Sequence, residues 1–164
     1  MFSIDFSQLV IYFTLYSFIG WVCESIWCSV AARKWVNRGF LNGPFCPIYG
    51  FGGLIILLVA EPLAQYPPLV FLAATLAASG LEYFTGWLLD TLFQMRWWDY
   101  SHRRFNIKGR VCLGNSLLFG VMGLGVTYLI HPALRNVVES IPGDWQRLVS
   151  TLIVAYFIFD LLHT

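Results

Sequence analysis

The sequence predicts an all-α integral membrane protein with about five transmembrane helices, and two observations lead to this fold class. Of the 164 residues, 58% are hydrophobic and only 12% are charged, and the mean hydropathy is +0.67. Soluble domains carry roughly 25% charged residues, so this composition indicates a membrane protein. The apolar residues also form separate runs, and about 20 helical residues suffice to cross the hydrocarbon core. We therefore expect residues 1–164 to form a single transmembrane domain.

The predicted spans are bounded by charged residues, prolines and glycines. They lie at about residues 8–32, 48–60, 69–93, 113–130 and 148–162. The second span has a clean apolar part of only about 20 Å at 1.5 Å per residue. It must therefore begin inside the stretch before it, or that stretch must enter the membrane as a re-entrant segment. His131-Pro132 should end the fourth span, and Ile141-Pro142-Gly143-Asp144 is a turn signal before the fifth.

Residues 37–53, NRGFLNGPFCPIYGFGG, form an apolar stretch whose backbone cannot be one continuous helix. It contains five glycines and two prolines, which resist helical order or remove a backbone donor. Broken backbone beside a membrane span is tolerated where it is buried in protein or lines a cavity. We expect the functional site at this broken or re-entrant connector.

The chain also matches itself at an offset of 66 residues. This register aligns Gly20-Trp21 with Gly86-Trp87, Glu24 with Asp90, Arg38 with Arg104, Gly43 with Gly109, and Cys46 with Cys112. We interpret the match as an internal duplication, with parallel helix-pair repeats at about 9–60 and 75–126 and a peripheral fifth helix. Such repeats are related by an axis along the membrane normal, and sites lie at the repeat interface.

The basic residues predict the orientation in the membrane. Eight of the ten lie in the connectors after spans one and three: Arg33, Lys34, Arg38, Arg96, Arg103, Arg104, Lys108 and Arg110. Lysine and arginine are enriched in cytoplasmic loops, so the N-terminus should lie outside and the C-terminus in the cytoplasm. No basic run resembles a nucleic-acid-binding tail, and we expect no nucleic-acid partner.

Acidic residues inside the spans are the leading site candidates. A charge in the bilayer costs about 2.5–3.5 kcal/mol on insertion scales and is a functional candidate by default. Glu24, Glu82 and Asp90 would supply negative charge, with Arg38 and Arg104 as counter-ions or gates. Asparagines in an apolar setting need partners for both amide ends, so the predicted ligand contacts include Asn37, Asn42, Asn106 and Asn115. The alternative is structural ion pairs that join Glu24 or Asp90 to Arg38 or Arg104.

Other chemistry is weakly indicated. The sequence lacks a Walker A loop, a His-Glu-x-x-His helix and a nucleophile elbow, and we predict no catalytic residue, cofactor or metal. The matched Cys46 and Cys112 leave open a membrane-embedded enzyme that acts on a lipid or a redox carrier. A non-catalytic scaffold or sensor is a third class.

Several longer motifs resemble a known family. They are GWxxE at Gly20–Glu24, the glycine-proline stretch, Leu81-Glu82 with Gly86-Trp87, WWDYS at Trp97–Ser101, and FNIKGRVCL at Phe105–Leu113. These are similar to the bacterial putative ABC-transporter type IV permease family. The resemblance implies an inner-membrane permease that needs a separate ATPase subunit.

The leading hypothesis is therefore a permease-like protein of the bacterial inner membrane. A cytoplasm-facing polar cavity would bind or translocate a small ion, a zwitterion or a lipid headgroup. Small residues along spans three and four suit close helix packing in lipid, and we expect a homodimer.

Overall fold

The structure, a computed structural model, describes residues 4–39 and 41–164. Phe40, which belongs to the glycine-proline stretch, lies outside the described residues. The helices are α1 (Phe6–Ala32), α2 (Pro47–Ala60), α3 (Pro67–Phe93), α4 (Leu113–Gly125), α5 (His131–Glu139) and α6 (Gly143–His163). A 3₁₀ turn at Glu61–Leu63 follows α2, and a π-helical segment at Val126–Ile130 joins α4 to α5. Between α3 and α4, β1 (Asn106–Ile107) pairs antiparallel with β2 (Val111–Cys112).

The predicted fold class, an all-α membrane protein, is confirmed. Within the described residues, four helices are long and apolar enough to cross a membrane: Phe6–Ala32, Pro67–Phe93, Leu113–Glu139 and Gly143–His163. A fifth apolar helix, Pro47–Leu63, is shorter and reaches roughly 25 Å at 1.5 Å per residue.

Local sequence accounts for the ends of the first and third spans. Asp5 and Gln8 form a capping box at the start of α1, which satisfies otherwise unpaired backbone donors. Pro67 and Pro68 occupy the first turn of α3, where a missing N–H costs no helical hydrogen bond. Arg33 and Gln94 end the two helices in the left-handed conformation, each with φ 51°.

The prediction that His131-Pro132 ends the fourth span is wrong, because the helix continues to Glu139. The backbone N–H of His131 bonds to the carbonyl of Val126, five residues earlier, in a π-helical turn. Proline lacks a backbone donor, and its ring clashes with the carbonyl four residues before it. A wider turn directly before Pro132 removes this conflict, as π-bulges do inside α-helices.

The fifth span also begins earlier than predicted, at Gly143. The buried side chain of Gln146 donates from Nε2 to the carbonyls of Val138 (2.9 Å) and Ile141 (2.8 Å). These bonds satisfy backbone acceptors left at the end of α5. Only a short turn around Pro142 therefore separates α5 from α6.

The chain divides into two compact units, Met1–Leu54 with Ala133–Thr164, and Ile55–Pro132. In the first unit, α1 packs against α6 and against the start of α2. A Cβ atom at Gly20 would overlap the ring of Tyr49, so glycine allows this close approach. Phe45 contacts Phe157 of α6, with ring centroids 5.1 Å apart. The predicted fifth helix packs against α1, where the rings of Phe13 and Phe157 have centroids 5.6 Å apart. Its peripheral place outside the two repeats stays a prediction.

In the second unit, α3 packs along α4. A Cβ atom at Gly123 would overlap Ala74, and Ser79 donates a hydrogen bond to Ser116 (2.7 Å). A small core forms where the end of α2 meets α3: Ile56, Ala60, Val70 and Ala74. The helices α2 and α4 begin at Pro47 and Leu113, which preserves the offset of 66 residues. The duplication itself and its symmetry axis stay predictions.

Candidate functional site

The described residues of the first connector, 33–39 and 41–46, lie along α1 and bond to its serines. Ser29 Oγ accepts from the backbone N–H of Val36 (2.8 Å), and Ser25 Oγ accepts from that of Arg38 (3.3 Å). The carbonyl of Ser17 accepts from the N–H of Cys46 (3.0 Å). Broken backbone beside an apolar helix is therefore satisfied by hydroxyls and a carbonyl of that helix. The serines at 17, 25 and 29 share one face because residues four apart lie above one another.

Glu24 is bound from two sides within the first unit. Its Oε1 accepts from Arg38 Nη2 (3.2 Å), and its Oε2 accepts from the hydroxyl of Tyr49 on α2 (2.6 Å). The Arg38 side chain is 40% exposed and that of Glu24 is 26% exposed. One of the ion pairs that the spacing indicated is therefore present. The carboxylate joins the connector, α1 and α2.

Asn37 and Asn42 hold the connector in place. The Oδ1 atom of Asn37 accepts from Trp21 Nε1 (2.7 Å), and Asn42 Nδ2 donates to the carbonyl of His163 (3.2 Å). Both amides thus serve contacts inside the first unit. Their predicted role as ligand contacts is untested, but a ligand would have to compete with these bonds.

Asp160 is a buried acid whose partner the sequence reasoning missed. It is 5% exposed, and its Oδ2 accepts from the backbone N–H of Gly43 (2.9 Å). A Cβ atom at Gly43 would overlap the Tyr156 hydroxyl, so glycine lets the connector approach α6 without moving that side chain. The sequence contains an aspartate inside a span and an Asn-Gly-Pro turn at residues 42–44, but no sequence pattern indicates that the two are in contact.

Residues 94–112, the second connector, form a compact hairpin. Trp98 Nε1 donates to the carbonyl of Arg110 (2.9 Å), and the N–H of Tyr100 donates to the carbonyl of Gly109 (2.8 Å). Asn106 Oδ1 accepts from the N–H of Gly109 (3.0 Å). Gly109 has φ +69°, a left-handed conformation that glycine adopts at no steric cost. Asn106 therefore stabilises the hairpin turn, and its predicted role as a ligand contact is untested.

The predicted pairing of Asp90 with Arg104 is not found. Asp90 Oδ2 accepts from Arg110 Nη2 (2.9 Å), and Arg96 Nε lies 3.5 Å from the same oxygen. Arg104 is exposed, and no ion pair joins it to any described residue. The hairpin is the physical reason, because it reverses the chain and returns Arg110 to α3. A rigid offset of 66 residues cannot anticipate that reversal.

Glu82 is almost fully buried in α3, with an exposed fraction of 7%. Its Oε1 accepts from the Tyr100 hydroxyl (3.0 Å), which in turn accepts from Asn115 Nδ2 (2.6 Å). Its Oε2 has no hydrogen-bond partner among the described residues. Burial, followed by the charge of and hydrogen bond to Glu82, raises the pKa of Tyr100. The phenol therefore keeps its proton and donates a hydrogen bond to the carboxyl group.

The two matched cysteines are buried and form no disulfide among the described residues. Cys46 Sγ donates to the carbonyl of Arg38 (3.1 Å), a contact that supports the first connector. Among the described residues, no group of three or more His, Cys, Asp or Glu side chains is arranged to hold a metal ion. These facts do not favour a redox enzyme over the other classes.

Two cavities of the first unit lie away from the candidate residues. One of about 350 Å³ is apolar and is lined by Thr14, Phe45, Val149, Leu152, Ile153, Tyr156 and Phe157. The other, of about 290 Å³, is lined by Phe6, Ser7, Arg147, Ser150, Thr151 and Val154. Neither is lined by a predicted site residue.

Comparison with known proteins identifies a family. A family model described as putative ABC-transporter type IV matches residues 11–164. No curated protein and no solved structure matches the chain.

Proposed function

The chain belongs to the putative ABC-transporter type IV family, and we propose from this premise that it is the permease-like membrane component of a transporter. Residues 1–164 contain no Walker A loop, so a separate ATPase subunit would supply ATP hydrolysis. The proposed setting is the bacterial inner membrane, with both connectors at the cytoplasmic face.

One observation carries this proposal: connector side chains bind carboxylates that lie in apolar helices. Arg38 binds Glu24 in the first unit, and Arg110 binds Asp90 in the second. A charge inside a span is costly, so the presence of these two acids favours a functional role over a role in anchoring the connectors alone. Both pairs keep some exposure, and a ligand can therefore compete for them.

The proposed mechanism is a competition at these ion pairs. A cation, or the positive end of a zwitterion or lipid headgroup, would replace an arginine at Glu24 or Asp90. The released arginine would then bind an anionic group of the ligand, and its connector would detach from the helix. Glu82 would be a third acid that binds the ligand, with Asn115 beside it, but it has no arginine to release. In this mechanism Arg38 is a gate, and Arg110 takes the place that we had expected for Arg104.

The test is ligand binding to the full chain in nanodiscs. The probes are sodium, potassium, glycine and phosphoethanolamine, which cover the three ligand classes. Binding is measured as a shift in melting temperature at constant ionic strength. We expect at least one probe to stabilise the wild-type protein. The substitutions Glu24→Gln and Asp90→Asn should each weaken the binding of that probe about tenfold or more.

Glu139→Gln is the matched control. Its carboxylate pairs with Arg135 at a distance of 2.7 Å on an exposed helix face, and exposed pairs contribute little to stability. This variant should bind like the wild type. Unchanged binding by the double variant Glu24→Gln/Asp90→Asn, or no response to any probe, would overturn the proposal.

A further inference from the structure

The carboxyl group of Glu82 differs from those of Glu24 and Asp90 because no arginine or lysine binds it among the described residues. Its hydrogen-bond donor is the phenol of Tyr100, and its Oε2 atom is buried without a partner. Glu24 and Asp90 each contact an arginine within 3.2 Å. Glu82 therefore lies in an apolar helix with no cation to balance an ionised carboxylate.

Among the described residues, no other charged group acts on the carboxyl group of Glu82. Tyr100 approaches from the second connector, and Asn115 and Ser116 of α4 are uncharged. Cys112 is a further titratable group near Tyr100. On α3 itself, Asp90 is bound by Arg110 and Arg96.

From this geometry we infer that Glu82 is a proton-binding site, with Tyr100 as its positioning residue. An isolated buried carboxylate is strongly disfavoured and is neutralised instead. A proton from the cytoplasmic side forms an O–H bond at Oε2, while Tyr100 continues to donate to Oε1. On release, the proton returns to water and leaves the carboxylate with the phenol as its donor. No electron transfer or co-reactant is needed.

Proton binding would be coupled to the second connector through the same hydrogen bond. An ionised carboxylate accepts a stronger hydrogen bond than a neutral acid does. Deprotonation of Glu82 therefore draws Tyr100 towards α3, and protonation weakens that attachment. The site deepens the proposed function, because it names the proton as one ion for this acid, but its readout is protonation and not ligand binding.

The experiment is labelling of the full chain in nanodiscs with dicyclohexylcarbodiimide, which modifies protonated carboxyl groups in apolar surroundings. Peptide mass spectrometry quantifies the adduct on each acid between about pH 5 and pH 9, a range that covers strongly raised carboxyl pKa values. We expect Glu82 to be labelled and its labelling to fall with rising pH as a one-proton titration. Glu24 and Asp90, which each contact an arginine, are the internal controls and should be labelled less than Glu82.

Two tyrosine variants test the positioning role. Tyr100→Phe removes the donor that favours the ionised carboxylate, so the labelling midpoint should rise by about one pH unit, a tenfold gain in proton affinity. Tyr83→Phe is the matched control, because this tyrosine interacts with Arg110 instead of Glu82. The Cζ atom of Arg110 lies 5.6 Å from the centroid of the Tyr83 ring. Its midpoint should not move.

Three results would overturn the inference. Glu82 could resist labelling across the whole range, or it could react no more than Glu24 and Asp90. Labelling could also be blocked by sodium at constant pH and remain insensitive to pH, which would indicate a cation site. If no ligand probe binds while Glu82 titrates as expected, the transport proposal fails and the proton site stands.

Discussion

At the scale of single residues, three acids of apolar helices, Glu24, Asp90 and Glu82, are each bound by a side chain of the connector that follows their helix. The ion pair of Glu24 and Arg38 is predictable, because an acid lies in a span and a basic residue lies in the connector after it. Asp90 with Arg110 depends on where a hairpin reverses the chain, and Asn37 and Asn106 hold connectors through bonds that only folded backbone reveals. Side-chain type indicated which residues matter, while local turns determined what each one contacts.

The arginine correction leads to a prediction at this scale. Arg110→Ala removes the nearer cation from Asp90 and should lower the melting temperature by a few degrees, because an intramembrane carboxylate loses its closest donor. Arg104→Ala is the matched control and should leave it unchanged, since exposed substitutions are usually neutral. Differential scanning fluorimetry in nanodiscs measures both. Equal losses would mean that Arg104 also binds an acid.

A second residue-scale prediction concerns acid pH. Hydrogen bonds from the hydroxyl and the N–H of Ser101 lower the pKa of Asp99. Ionised Asp99 therefore stabilises the second connector above the ordinary carboxyl pKa of about 3.9. This stabilisation is lost as the pH falls through the lower pKa that Asp99 has in the folded protein. Hydrogen exchange of the peptide 97–110 should lose protection in that window. Asp99→Asn cannot titrate there, and an unchanged acid response in this variant would contradict the assignment.

At the scale of elements, hydrophobic runs located the helices well. The ends of α1 and α3 and the start of α4 agree with the predictions, because capping residues, prolines and basic residues mark them. The fourth span was predicted too short, because proline was expected to end the α-helix. A π-helical turn before Pro132 lets the helix continue. The start of α6 was missed because Gln146 stabilises the turn through a side-chain contact that hydropathy does not register.

Glycine packing gives the prediction at this scale. Gly123→Ala places a methyl group against Ala74, and overpacking of this kind costs about 1–3 kcal/mol. Gly80→Ala is the matched control, because nothing lies within 4 Å of the added atom. That change should be neutral or stabilise α3 by about 0.5–1 kcal/mol. Denaturant unfolding in detergent compares the two, and an equal response would exclude close α3–α4 packing at Gly123.

At the scale of the whole molecule, we propose a homodimer that acts with a separate ATPase. Exposed apolar side chains are numerous along α6, including Leu152, Ile158, Phe159, Leu161 and Leu162, although lipid can also cover them. Two-fold closure is the commonest form of soluble association. Native mass spectrometry from nanodiscs should give twice the chain mass of 18.7 kDa. A monomer that binds the same ligand probe would make one chain the functional unit.

The proposed transport function requires both connectors to lie at the cytoplasmic face, where they would respond to a ligand and to the ATPase. Lys34→Cys and Lys108→Cys place exposed thiols in the two connectors, and Ser140→Cys places one after α5. In a background with Cys23 and Cys28 replaced by alanine, a membrane-impermeant maleimide is applied to spheroplasts and to inverted vesicles. We predict that the thiols at positions 34 and 108 react only in inverted vesicles, and the thiol at 140 only in spheroplasts. Reaction of the two connector thiols from opposite sides of the membrane would contradict the account.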